Sequence, residues 1–143
     1  MVASRHPVPG RRPDPRRTLR IATVALTATV AALYLAVFLV QLPHLHETDN
    51  PAPLYAFLAV VYLAGAALVA LRDTRAVLLI GLLIQALLLA GFTWLLALLI
   101  REGDQGFLTD MLGLVIAVIA AQVLLVGLFS ALIADVPPRE PQS

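Results

Sequence analysis

The chain has 143 residues, of which 60% are hydrophobic and only 13% are charged. An ordinary soluble domain carries about 25% charged residues, and the mean hydropathy here is +0.90. The composition excludes a soluble globular domain and leaves room for one domain only. No cysteine is present, which excludes disulfides, thiolate catalysis and cysteine-based metal sites. All basic residues are arginines, which suggests a GC-rich bacterial genome.

Residues 1–20 are rich in arginine and proline and show no apolar periodicity, which predicts a disordered tail. The apolar run that follows is too long for the hydrophobic region of a cleaved signal peptide, which has about 7–15 residues. We therefore expect an uncleaved first transmembrane helix. The arginines of the tail could bind anionic lipid headgroups or serve only to fix the topology, and we expect no binding of nucleic acid.

Four apolar stretches without charge follow the tail, and each is long enough to cross a hydrocarbon core of roughly 30 Å. Proline ends the first stretch, a turn at 72–75 follows the second, and two glycines follow the third. Thr109 and Asp110 are N-cap candidates for the fourth helix. The prediction is an all-α integral membrane protein with a transmembrane domain at 21–134 and a short tail at 135–143. Its antiparallel four-helix bundle has spans at about 21–42, 54–71, 76–100 and 111–134.

The arginines divide unequally between the two ends of these helices. Nine lie in the two tails and the 72–75 turn, whereas Arg101 alone lies on the other side. Positive charge accumulates in the cytoplasm. We therefore expect a multi-pass protein of the cell (inner or plasma) membrane with both termini in the cytoplasm.

Small residues recur on one face of three of the four predicted helices. Close approach of small residues drives helix association in lipid, so these faces are predicted to be helix–helix contact faces; the abundance of alanine is the alternative explanation. They comprise Ala22, Ala25, Thr29, Ala32 and Ala36 on the first helix, Ala52, Ala56, Ala59, Ala66, Ala67 and Ala70 on the second, and Gly113, Ala117, Ala120, Gly127, Ala131 and Ala134 on the fourth.

The predicted spans contain no ionisable Asp, Glu, Lys, Arg or His, which argues against a proton-coupled transporter. Gln85 and Gln122 are the most costly side chains to bury, and they are equally distant from the turn between the last two helices. We predict that they lie at one depth and contact each other, although a polar lining for a solute path is the alternative. The other polar residues of the spans are Thr23, Thr27, Thr93, Ser130, Tyr34 and Tyr62.

Histidine and carboxylate side chains occur together in the loop after the first helix, at His44, His46, Glu47 and Asp49. Such side chains suit zinc or copper, but a solvated loop is the simpler interpretation, and no metal site is assigned. Trp94 and Tyr55 are expected in aromatic belts at the outer membrane surface.

No phosphate-binding loop or catalytic constellation occurs in the sequence, so we expect no enzyme and no cofactor. The pattern favours an accessory or structural subunit in the lipid bilayer. It would act through helix–helix contacts with a membrane-protein partner or as a homo-oligomer. The alternatives are a carrier or pore for a small neutral or lipidic solute, built around Gln85, Gln122 and the tyrosines, and an outer-face metal-binding protein using His44 and His46.

Overall fold

The computed structural model describes residues 14–46, 51–103 and 105–136, and all regular structure in these ranges is helical. Each α-helix contains a segment long and apolar enough to span a membrane, which confirms the prediction of four such helices. The elements are α1 (Pro15–Gln41), a short 3₁₀-helix (Leu42–His44), α2 (Ala52–Leu71), α3 (Arg75–Glu102) and α4 (Gln105–Ala134).

The first helix begins at Pro15, so the prediction of a disordered tail is corrected for residues 15–20. The side chain of Asp14 accepts a hydrogen bond from the backbone N–H of Arg16 at 3.1 Å and so caps the helix. Proline fits the first helical position because it has no N–H to leave unpaired there. The remaining residues of the predicted tail, 1–13, lie outside the described residues.

The connection between α3 and α4 turns at Gly103, where φ is +76°. Glycine adopts this left-handed conformation without steric cost, which confirms that a glycine ends α3. The fourth helix then begins at Gln105 rather than at 111. Thr109 and Asp110 consequently lie inside the helix and do not cap it. Between 105 and 110 the only weak helix former is Gly106, and one glycine costs only about 1 kcal/mol.

The helices make unequal contacts with one another. The largest contact joins α1 to α2, α4 packs against both α1 and α3, and α2 and α3 barely touch despite their short connection. The spanning segment of α3 is 11% buried, against 28% for those of α1 and α4, so α3 is the most peripheral helix. The buried apolar core consists of Val30, Ala31, Tyr34, Ala59, Tyr62, Val69, Leu78, Leu125, Phe129 and Leu132.

Helices α3 and α4 approach each other closely at Gly81. A Cβ atom added there would stand 2.6 Å from Cε1 and 2.8 Å from Cζ of the Phe129 ring. Phe129 is buried, so the ring has little room to withdraw. The absence of a side chain at Gly81 therefore sets the spacing of the two helices at this level.

The small-residue faces predicted on the first and fourth helices are wrong as contact faces within the chain. All five residues of the α1 face and all six of the α4 face are exposed. The buried faces lie on the opposite side of each helix: Thr23, Thr27, Val30, Ala31 and Tyr34 on α1, and Val118, Gln122, Leu125, Phe129 and Leu132 on α4. Large side chains form most of the buried face of α4, where they fill the space between helices, whereas the buried face of α1 includes two threonines and an alanine.

The small face of α2 is only partly buried. Ala52, Ala59 and Ala66 are buried and Ala56 is intermediate, whereas Ala67 and Ala70 are exposed. This face is therefore correctly predicted over most of α2, where it meets α1.

Candidate functional site

Four polar side chains, one from each helix, meet in the buried interior. They are Tyr34 from α1, Tyr62 from α2, Gln85 from α3 and Gln122 from α4, and none is more than 8% exposed. The Tyr62 hydroxyl donates a hydrogen bond to Oε1 of Gln85 at 3.1 Å. The side chain of Gln122 lies within hydrogen-bonding reach of both tyrosine hydroxyls. We call these four residues the polar cluster.

The tyrosines of the cluster also pack against each other and against a third ring. The Tyr34 and Tyr62 ring centroids are 5.5 Å apart in a tilted arrangement, and Tyr55 stacks on Tyr34 with centroids 6.4 Å apart. Aromatic pairs at such distances are stabilising. Tyr55 thus has a packing partner inside the protein in addition to any position in an aromatic belt, whereas Trp94 is 69% exposed.

The prediction that the two glutamines hydrogen-bond to each other is wrong. Both glutamines are buried, but the structure bonds Gln85 to Tyr62 rather than to Gln122. The Oε1 atom of Gln122 is buried and has no hydrogen-bond partner. Sequence register predicts depth along a hairpin, but it does not predict a hydroxyl that reaches the amide from a helix outside that hairpin.

The hydroxyl groups of the remaining polar span residues are satisfied within their own helices. Thr23 and Thr27 are buried, and they donate to the carbonyl oxygens of Leu19 at 2.8 Å and of Thr23 at 2.6 Å. The exposed Thr93 and Ser130 do the same on α3 and α4, also to carbonyls four residues back. These residues therefore offer no donor to a neighbouring helix, and the polar cluster is confined to the tyrosines and glutamines.

A small cavity of about 40 Å³ lies beside the polar cluster and is lined by residues from all four helices. A buried water needs about 10–15 Å³ of such volume, so the cavity accommodates a few water molecules at most. Its polar side chains are already bonded, Tyr62 to Gln85 and Thr27 to the Thr23 carbonyl. The cavity is lined by Thr27, Val61, Tyr62, Gly65, Gly81, Ile84, Gln85 and Phe129.

An ionic junction joins three segments at one end of the helices. Arg16, in the first turn of α1, contacts Oδ2 of Asp73 through Nη2 at 3.0 Å and Nε at 3.1 Å. Its Nη1 lies 3.8 Å from Oδ2 of Asp135, just beyond α4. Arg20, one turn further along α1, donates to the carbonyl oxygen of Ala70 at 3.3 Å. Sequence analysis missed this role of Arg16; its only signal is an acid, Asp73, placed between two arginines.

The described residues form no metal site around the histidines predicted on the outer face. Within 14–46, 51–103 and 105–136, no group of three or more His, Asp or Glu side chains could hold a metal ion. His46 is exposed. Glu47 and Asp49 lie outside the described residues, so the metal-binding alternative stays a prediction.

The fold defines a class of protein but no family. Its four helices are each long and apolar enough to cross a membrane, which indicates a membrane protein. No family model, no curated protein and no solved structure matches the chain. Any inference about function therefore depends on the residues and their geometry.

Proposed function

We propose that the chain is a multi-pass protein of the cell membrane, with its helices in an antiparallel bundle and both termini in the cytoplasm. Two contacts support alternating directions. Arg16 at the start of α1 pairs with Asp73 beyond the end of α2, and Gly81 early in α3 faces Phe129 late in α4. The unequal distribution of arginines supports the orientation.

A labelling experiment tests this orientation directly, because the chain has no native cysteine. Asp104→Cys should react with an impermeant thiol reagent added outside intact cells. Thr74→Cys, in the turn between α2 and α3, should react only after the cells are opened. Labelling of Thr74→Cys from outside would reverse the proposed topology.

We further propose that the protein is a non-enzymatic accessory or structural subunit that binds a membrane partner, or a second copy of itself, through exposed helix faces. The observation that carries this proposal is the exposure of the small faces of α1 and α4. At Gly113 and Gly127, nothing lies within 4 Å of where a Cβ would stand. Small residues allow backbones to approach closely in lipid, where helix association depends on packing.

Two neighbouring alanines on α1 provide a matched test. Ala32 is exposed on the small face, whereas Ala31 is 5% exposed in the core. Ala32→Leu should leave the melting temperature in mild detergent unchanged but reduce cross-linking between copies or recovery of co-purifying chains. Ala31→Leu should instead lower the melting temperature, because overpacking of a core typically costs about 1–3 kcal/mol.

The result that would refute the contact-face proposal is equally specific. If Ala32→Leu leaves cross-linking and co-purifying chains unchanged, the small face of α1 faces only lipid. Mass spectrometry of the co-purified chains separates a foreign partner from a second copy.

A carrier or pore for a small neutral or lipidic solute is the second candidate function. The observation in its favour is the buried Oε1 of Gln122, an acceptor that has no hydrogen-bond partner. Gln122→Leu removes this acceptor and should abolish solute flux in reconstituted vesicles while the chain remains folded. If no flux above that of protein-free vesicles is found with the native chain, this candidate is dismissed.

A further inference from the structure

Four arginines at the end of the molecule that carries the ionic junction are exposed and have no acidic partner among the described residues. Both ion pairs found within the described ranges are made by Arg16, which engages Asp73 and Asp135. Asp14 serves as the cap of α1. With Arg16 included, five arginines face three acids in this part of the described chain, which leaves a net charge of 5 − 3 = +2. The four exposed residues, which we call the basic patch, are Arg17, Arg20, Arg72 and Arg75.

The basic patch comes from two segments that the structure holds together. Arg17 and Arg20 lie in the first two turns of α1, and the other two arginines flank Asp73 in the turn between α2 and α3. The Arg16–Asp73 pair at 3.0 Å and the bond from Arg20 to the Ala70 carbonyl at 3.3 Å join these segments. The four arginines therefore lie on two segments that adjoin at one end of the molecule.

The patch lies where the apolar surface ends. Ile21 follows Arg20 directly and is exposed, and Leu71 precedes Arg72 and is 82% exposed. Such side chains belong in hydrocarbon, so the adjacent arginines stand at the depth of the lipid headgroups. At the other end of the helices, Arg101 is the exposed arginine of the described residues.

We propose that the basic patch binds the phosphate headgroup of an anionic phospholipid. The planar guanidinium group matches phosphate oxygens with two parallel hydrogen bonds. An anionic lipid such as phosphatidylglycerol carries this phosphate and has no cationic group. Phosphatidylcholine carries a cationic choline group beside its phosphate, and the four arginines would repel that group. The sequence predicted lipid binding by the arginines of the tail alone. The proposed site also includes the arginines of the turn between α2 and α3. Arg16 positions the two segments, because its own guanidinium is occupied by the acids.

Counting bound lipids by native mass spectrometry tests the proposal on the full chain in mild detergent. Phosphatidylglycerol and phosphatidylcholine are titrated separately. Each arginine near an anionic surface contributes about fivefold to affinity. The double variant Arg72→Gln/Arg75→Gln should therefore bind phosphatidylglycerol roughly 25-fold more weakly, whereas Arg101→Gln should bind it as the native chain does. Arg72→Lys/Arg75→Lys keeps the charge but loses the paired hydrogen bonds of the guanidinium group, so its affinity should fall between those of the native chain and the glutamine variant.

Salt dependence gives a readout that needs no variant. Phosphatidylglycerol binding to the native chain should weaken as salt is raised, since exposed charges are screened over about 10 Å at 0.1 M. Equal binding of the two lipids, or equal losses in the Arg101→Gln and Arg72→Gln/Arg75→Gln variants, would overturn the proposal. Displacement of the lipid by millimolar inorganic phosphate would also overturn it, because the site would then be one for free phosphate.

Discussion

Substitution of Gly81 by alanine tests whether the contact between α3 and α4 is as close as the structure shows. A methyl group there would meet carbon atoms of the Phe129 ring at 2.6, 2.8 and 3.3 Å. Carbon atoms prefer separations of about 3.5–4.0 Å, so either the ring or the helix must move. Phe129 is only 3% exposed, which leaves the ring little space.

The expected magnitude combines two opposing effects. Overpacking of a core costs about 1–3 kcal/mol, while alanine stabilises a helix by roughly 0.5–1 kcal/mol relative to glycine. Gly91 on the same helix provides the matched control, because nothing lies within 4 Å of its added Cβ. Gly91→Ala therefore gains only the stabilisation that alanine gives a helix relative to glycine. The free energy of unfolding should therefore differ between the two variants by about 1–3 kcal/mol.

Unfolding in mixed micelles with increasing dodecyl sulfate measures this difference. The double variant Gly81→Ala/Phe129→Leu should recover part of the loss, because the ring atoms that clash are gone. If Gly81→Ala unfolds at the same point as Gly91→Ala, the close approach is absent and the reasoning is refuted.

Two further predictions concern the polar contacts, and the same unfolding assay measures both. Tyr62→Phe leaves the buried Gln85 oxygen without its donor and should cost about 1–3 kcal/mol. Its coupling with Gln85→Leu in a double-mutant cycle should be roughly 0.5–2 kcal/mol, and zero coupling would show that the hydrogen bond is not formed. Arg16→Gln should cost about 1–3 kcal/mol through loss of its charged hydrogen bonds to Asp73. Arg17→Gln, an exposed neighbour, should change stability by less than about 0.5 kcal/mol, and equal effects would contradict the ionic junction.

The four helices were predictable from the length of the charge-free apolar runs. A charge-free apolar run of more than 20 residues has few alternatives to a spanning helix. The helix starts were less predictable, because helices continue past the apolar region wherever the backbone permits. The start at Pro15 is set by the Asp14 cap, which hydropathy does not detect. The fourth helix begins at Gln105, two residues after Gly103.

The packing faces were predicted poorly for a different reason. A face of small residues shows that close approach is possible, but not which helix approaches. On α4 mostly large side chains face inward, whereas the buried face of α1 mixes threonine, valine, alanine and tyrosine, and large residues such as Leu33 and Leu35 are exposed. Residue size alone therefore does not identify the packing face, and a prediction would have needed the positions of all four helices.

The candidate site was predictable by residue type but not by connectivity. Buried amides in an apolar chain must find partners, which correctly singled out Gln85 and Gln122. The partners are tyrosines from α1 and α2, and no hairpin register relates those helices to the glutamines. Sequence analysis therefore identified the two glutamines, and it named the tyrosines only as part of the alternative solute path.

The ionic junction at Arg16 has a consequence for the order of events during synthesis. Arg16 lies in the first turn of the first helix, and Asp135 follows the last residue of the fourth. The ribosome makes α1 long before α4, so this arginine can meet Asp73 once the chain through Asp73 has been made, but Asp135 only after α4. The second ion pair can therefore form only as the final step of assembly, when the first and last helices have come together.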